Sequence, residues 1–217
     1  MLTKIKKFIN FPLSKKLQFL SSIYYRIKTQ TFYKLMFKKI GKKSVLKLPL
    51  HITPESISIG RGVYIWNDAR IEGINSYAGT QYTPHIIIED GVSVQQRCHI
   101  TAADTLVIGK NTLISFDVSI QDTDHEYEDL SLPIGNQPLK VQKTEIGENC
   151  FIGSGVKIQA GTVLGRHCVV GTNAVVRGTF PDYCVIVGVP AKIIKRYDEN
   201  SKTWKKTNQQ GEFLDEI

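Results

Sequence analysis

The sequence predicts a mainly-β chain coiled into a parallel β-helix of triangular section, about five coils long, with an α-helical N-terminal arm and one extruded loop. Three observations predict it. A six-residue repeat runs without a miss near the C-terminus, the same register recurs upstream with interruptions, and the first fifty residues carry helical spacing instead.

The arm comes first. Ile5, Phe8, Ile9, Leu17, Leu20, Ile23, Ile27, Leu35 and Phe37 fall among lysines at spacings near three and four, so residues 2–40 read as helix. Pro12 divides this stretch into two helices, and Pro49 precedes the prism. Residues 1–50 hold thirteen Lys or Arg and no acid, with Glu55 the first carboxylate. The remainder has fifteen basic and twenty acidic side chains, a net of −5, so the formal +8 belongs to one segment. That distribution argues against nucleic acid as partner. A basic amphipathic arm reads as peripheral contact with the inner membrane surface, with Tyr24, Tyr25, Phe32 and Tyr33 at headgroup level, or as a cap over the first coil. Both can hold at once. Lys15 and Lys16 interrupt the apolar stretches, leaving neither a spanning run nor a secretory signal.

The repeat follows. From Ile146 the chain reads IGENCF, IGSGVK, IQAGTV, LGRHCV, VGTNAV, VRGTFP. The first position is always aliphatic (Ile146, Ile152, Ile158, Leu164, Val170, Val176), and the fifth is mostly small. A period of six is neither helical nor that of a simple alternating strand. It suits a prism in which each hexapeptide makes one short strand and one corner, with first and fifth positions pointing inward. Gly at the second position would ease the corner. Upstream, Ile59, Ile65 and Ile71 lead one set, an insertion from Asn75 to Pro84 bulges out, and Ile88, Val94 and Ile100 lead the next. After a two-residue slip come Ile108, Ile114 and Ile120. The implied plan is arm 1–50, β-helix 51–197 with loop 126–143 extruded, and a polar tail 198–217. Cys98, Cys150 and Cys168 share one phase of the repeat, and with Cys184 they show no CxxC or zinc spacing. They read as small core residues in a reduced, cytoplasmic setting.

These hexapeptides, with the closing Ile186-Val187-Gly188-Val189-Pro190-Ala191-Lys192, resemble the hexapeptide-repeat acyltransferase family. Within it the chain looks like the sugar O-acetyltransferases of lipopolysaccharide, O-antigen and capsule biosynthesis, relatives of the galactoside and maltose acetyltransferases. The resemblance covers about residues 40–197. It implies a left-handed winding and a homotrimer, with acetyl-coenzyme A as acyl donor in the groove between neighbouring prisms, a sugar or glycan acceptor, and no metal.

The chain leaves the repeat at Gln121-Asp122-Thr123-Asp124-His125-Glu126-Tyr127, and resumes it after about Lys143. Loops mounted on rigid scaffolds commonly carry chemistry. In the resembling family the catalytic His stands at this point, which matches His125. A sugar hydroxyl attacks a thioester only as its proton is taken, a task for neutral imidazole near pH 7. One of Asp122, Asp124, Glu126 or Glu145 would orient the ring, and the sequence does not choose among them. As a bare residue, without the resemblance, His125 reads sooner as a polar loop side chain.

By the same resemblance, Ser154 and Thr172 match positions that meet the pantetheine arm, Val176 and Arg177 the pair beside the adenine, and Lys192 and Lys195 basic positions near the nucleotide phosphates. Each also reads as a solvated corner residue. His99, near the slip, is a candidate for the acceptor pocket, with Asp122 and Asp124. Two departures matter: Phe151 stands where relatives often have Trp, and Arg97 where galactoside acetyltransferases place an acceptor-binding Asn. An Arg there would suit a carboxylate or phosphate on the acceptor. Three rival readings remain: N-acetylation of a nucleotide-linked amino sugar, a γ-type carbonic anhydrase using His85, His99 and His125, and a non-catalytic assembly module.

Overall fold

The aliphatic first positions do face inward. In the computed structural model, which describes residues 11–214, every one from Ile59 to Ile186 is buried to within about 2% exposure. Fifth positions such as Cys150, Thr162, Cys168 and Ala174 are buried beside them. Three parallel faces stack along the axis, and each strand pairs with its counterpart one coil away. The first face runs from Lys39–Ile40 to Thr179–Phe180, the second from Val45–Leu46 to Cys184–Gly188 and the third from His51–Ile52 to Val175–Val176. On the third face, Ile52, Ile71, Ile100, Ile120, Ile158 and Val176 form one continuous register, each directly above the next. Six strands on that face make six coils, against the roughly five expected, and a partial seventh closes the other two faces.

The extra coil lies at the N-terminal end. Lys39–Ile40 pairs with Ile57–Ile59, Val45–Leu46 with Tyr64–Ile65, and His51–Ile52 with Arg70–Gly73. The prism therefore begins at Lys39, inside the segment assigned to the arm, and Pro49 sits within the first coil. Ile40, Leu46 and Ile52 keep the six-residue spacing, but the lysines between them obscure it.

Before it runs the helix Leu13–Lys28, then a wider π turn, Thr29–Tyr33. The π turn and the residues after it dock most deeply, while the helix lies against the second face, where Leu17, Gln18 and Ser21 line a hollow with Lys47, Tyr64 and Trp66. Tyr33 and Phe37 join the core, Leu46 N–H donates to Thr29 Oγ1 (2.9 Å), and Gln30 Nε2 donates to the carbonyls of Gly41 and Ser44 (both 3.1 Å). The end of the arm thus caps the first coil, satisfying polar groups a solenoid terminus leaves open. None of the residues of Leu13–Lys28 is buried. The helical reading of Ile5, Phe8 and Ile9 lies outside the described residues.

The polar tail extends the second face. Thr203–Lys206 pairs antiparallel with Ala191–Asp198, which itself pairs antiparallel with Cys184–Gly188, so the second face ends by reversing direction. Trp204 meets Tyr197 edge to face (5.8 Å between centroids) and lies near His167 (6.5 Å).

The corners correct one expectation. Gly147 does not adopt left-handed backbone; positive φ falls two residues later, at Asn149 (57°), and likewise at Gly155, Gly161, His167 and Asn173. Gly is needed at Gly147 because the next coil comes too close there, whereas Gln159 and Arg177 fill the same position after third-face strands. A Cβ on Gly147 would lie 2.6 Å from the backbone of Gly165.

Candidate active site

One edge of the prism, where the third face turns into the first, carries both interruptions of the repeat. The insertion leaves after Arg70–Gly73 and returns at His85–Ile88, while the long loop leaves after Ser119–Gln121 and returns at Thr144–Ile146. Between them in the stack lies the tight turn at Ala103 and Asp104. Asp122 serves that turn: it is 1% exposed and accepts from Ala103 N–H and Asp104 N–H (both 2.9 Å). Burial pushes its carboxyl up from the usual range, against the pull of those donors. Asp122 is therefore a buried structural carboxylate, a correction to its assignment as a substrate contact, because its oxygens are spent on backbone N–H groups.

The loop opens as a ribbon. Thr123–His125 pairs antiparallel with Leu139–Val141, placing His125 opposite Leu139. The extrusion is thus anchored from Thr123, slightly before the expected start at 126. His125 is exposed at the mouth of a cavity of about 330 Å³ lined by Asp124, Glu126, Tyr127, Glu128, Lys140, Gln142 and Arg177. Arg177 comes from the repeat, on the same edge two coils further on, and forms an ion pair with Asp124. The pair ties the loop to the prism and leaves imidazole, guanidinium and carboxylates around one space.

The carboxylates proposed to orient the ring divide. Asp122 is buried, Asp124 holds Arg177, and Glu145 pairs with Lys143 on the first face (2.8 Å). Glu126 lines the cavity. The ring set against the imidazole belongs to Tyr77, edge to face at 5.3 Å between centroids. Sequence reasoning missed Tyr77, although a signal existed: counting coils in threes puts both interruptions on one edge.

Other candidates lie apart within one chain. Ser154 and Thr172 occupy the opposite edge of the third face, one above the other, and Asn173 N–H donates to Ser154 O (2.9 Å). Lys192 pairs with Val187, which packs over Gly171 on that edge, while Lys195 lies opposite Val185 on the second face. Val176 is corrected: its side chain is fully buried in the prism, so it cannot face an adenine. Arg97, at the second–third edge, holds Asp117 through two hydrogen bonds (2.7 and 2.8 Å), and that guanidinium draws the Asp117 carboxyl below its usual range. His99 points outward from the third face between Arg70 and Ser119. Phe151 is exposed on the second face between Leu113 and Val169. None of these last three lines the His125 cavity.

Among the described residues no cluster of His, Cys, Asp or Glu could hold a metal ion. His85, His99 and His125 sit on the first face, the third face and the loop ribbon respectively. Nor do the cysteines offer an activated nucleophile at the cavity: all four are buried and free, and burial pushes the Cys98 thiol up to about 11.

A profile of the bacterial transferase hexapeptide (six repeats) matches residues 143–178. The chain is 36% identical over 157 residues to a protein of Escherichia coli K12 named as a putative lipopolysaccharide biosynthesis O-acetyl transferase, WbbJ, covering 66% of this chain and 80% of that one. It is 35% identical over 148 residues to a probable acetyltransferase of Mycobacterium tuberculosis, Rv3034c, covering 67% of this chain but only 47% of that longer protein. Among solved structures, the N-acyltransferase AntD of Bacillus cereus, crystallised with dTDP and 3-hydroxybutyryl-CoA, superposes with a TM-score of 0.63 at 19% identity, covering 80% of this chain and 90% of AntD. That likeness concerns fold: the prism is a left-handed parallel β-helix.

Proposed function

The chain belongs to the bacterial hexapeptide-repeat transferase family and is an acyltransferase, and from that premise we propose that it acetylates a sugar hydroxyl in cell-surface polysaccharide biosynthesis, with acetyl-coenzyme A as donor and His125 as general base. The observation that carries this reading is an exposed imidazole at the mouth of a polar cavity, mounted on the ribbon that breaks the repeat.

The chemistry asks for one base and direct attack. As the acceptor oxygen bonds to the thioester carbonyl carbon, the imidazole takes the hydroxyl proton. The tetrahedral oxyanion then collapses, the C–S bond breaks, and the imidazolium returns its proton to the departing thiolate. Removing the ring costs about 10²–10⁴-fold in rate. Ser154, Thr172, Arg177, Lys192 and Lys195 are the candidates for holding the donor. Because Ser154 and Thr172 stand across the third face from His125, a groove shared by adjacent prisms of a homotrimer would bring donor and base together. Arg97, His99 and Phe151 are then candidates for the acceptor side of that shared groove.

The test is acetyl-coenzyme A turnover with a panel of glycosides bearing hydroxyl or amino acceptors. The expected outcome is transfer to a hydroxyl, lost in His125→Ala while assembly and melting are kept. Full activity in His125→Ala would remove the base assignment, and transfer only to amines would make the enzyme an N-acetyltransferase.

The arm suggests where the acceptor resides. Leu13, Leu17, Leu20, Tyr24 and Ile27 form an exposed stripe along one side of Leu13–Lys28, flanked by Lys16 and Lys28. No helix among the described residues is long and apolar enough to cross a membrane. An apolar stripe bordered by cations suits the interface of an anionic bilayer, consistent with a lipid-linked acceptor at the cytoplasmic face.

A further inference from the structure

We infer that the 75–84 insertion is part of the active site, with Tyr77 and Tyr82 acting as positioning residues that fix the His125 imidazole. The inference rests on His125 as the reacting base.

The insertion is a compact hairpin. Ser76–Tyr77 pairs antiparallel with Thr80–Gln81 across Ala78 (φ 46°) and Gly79 (φ 79°), and Tyr82 N–H donates to Asn75 O (2.8 Å). Positive φ at both turn residues marks the primed type of turn, for which Ala is a poor residue. Its two tyrosines reach the same short stretch of the loop from different directions. Tyr77 lays its ring against the imidazole, and its hydroxyl end passes Gly135. Tyr82 works behind the imidazole: Leu139 N–H donates to Tyr82 Oη (2.8 Å), and the Tyr82 hydroxyl donates to Leu139 O (3.4 Å).

Leu139 is the residue directly opposite His125 in the ribbon. The neighbouring ladder bonds run from Gln142 N–H to Asp122 O (2.7 Å) and from Glu126 N–H to Pro138 O (3.2 Å). By the alternation of antiparallel ladders, His125 and Leu139 are then a non-hydrogen-bonded pair, and the polar groups of Leu139 point away from the ribbon. A two-stranded ribbon alone is marginally stable. The Tyr82 hydroxyl replaces the missing third strand at the position where the ribbon carries the imidazole. The loop cannot shift here without breaking these bonds, and the Tyr77 ring bounds the imidazole on one side.

The experiment compares Tyr77→Ala, Tyr77→Phe, Tyr82→Phe and His125→Ala, using the glycoside that gives the highest turnover with wild type. Expected is a fall in kcat of roughly 10–100-fold for Y77A and Y82F with the KM for acetyl-coenzyme A little changed, since misplacement of a reacting group acts on the chemical step. Y77F should recover most of what Y77A loses, because the ring and not the hydroxyl meets the imidazole. In parallel, the His125 ring-proton resonance, assigned by its absence in H125A, should move when the Tyr77 ring is removed. If Y77A and Y82F both turn over within about twofold of wild type, the inference is overturned. An unmoved His125 resonance in Y77A also overturns it, even for a variant with altered stability. Full activity in H125A with a moved resonance would instead remove the base assignment and leave the contact standing.

Discussion

His85 opens a strand of the first face, where Ser58 Oγ lies 3.0 Å from its Nε2 and Lys38 stands nearby. Burial, then the charge of Lys38, pull its pKa below the ordinary 6.5. The unfolded chain therefore binds a proton that the folded chain refuses, and stability falls as pH drops below the unfolded value. Relative to His85→Gln, wild type should lose melting temperature between about pH 7 and pH 5. Parallel pH profiles for the two proteins would refute this. At this scale the sequence showed where the chain leaves the repeat but not what each carboxylate binds. Asp122 and Asp124 are two residues apart, yet one is buried under the turn at Ala103 and the other pairs with Arg177. That division depends on donors supplied by other coils, which adjacent letters do not encode.

At the scale of the element, the hexapeptide is a statement about distances between coils. Adding one methyl group at Gly147 presses on the Gly165 backbone at 2.6 Å, and two stacked main chains have little room to yield. Gly147→Ala should destabilise the protein by about 1–3 kcal/mol, read by denaturant melts. A neutral result would mean that the coils separate more easily than this contact allows. The buried register from Ile59 onward was legible because, between the interruptions, one aliphatic residue recurs every six positions, with glycine beside it at Ile59, Ile108, Ile146, Ile152, Leu164 and Val170. The first coil was not: Lys42, Lys43 and Lys47 gave it the look of a basic arm, although Ile40, Leu46 and Ile52 keep the spacing. Outward positions are free to be lysine, so charge was a poor guide to where the coil begins.

For the whole molecule, the asymmetry of charge becomes an asymmetry of ends. Cations and the exposed apolar stripe gather where the stack begins, while the body is acidic. Vesicles containing anionic lipid should sediment the full-length protein, neutral vesicles should not, and salt should weaken the association over a Debye length of about 8–10 Å. Equal retention by neutral and anionic vesicles, or by neither, would rule out the proposed charge-guided contact. Both interruptions were visible in the sequence, and counting coils in threes puts them on one edge; the contacts they make there were not visible, because these lie in the side chains of Tyr77 and Tyr82 and no repeat pattern encodes them.

A solenoid of near-identical turns has no inherent length, and an open terminus invites another copy to continue it. Here Thr29, Gln30, Tyr33 and Phe37 plug one terminus. At the other, the switch from parallel to antiparallel pairing after Gly188 denies an incoming molecule the register it would need on that face. The chain therefore carries its own stop signals against growth into a fibre.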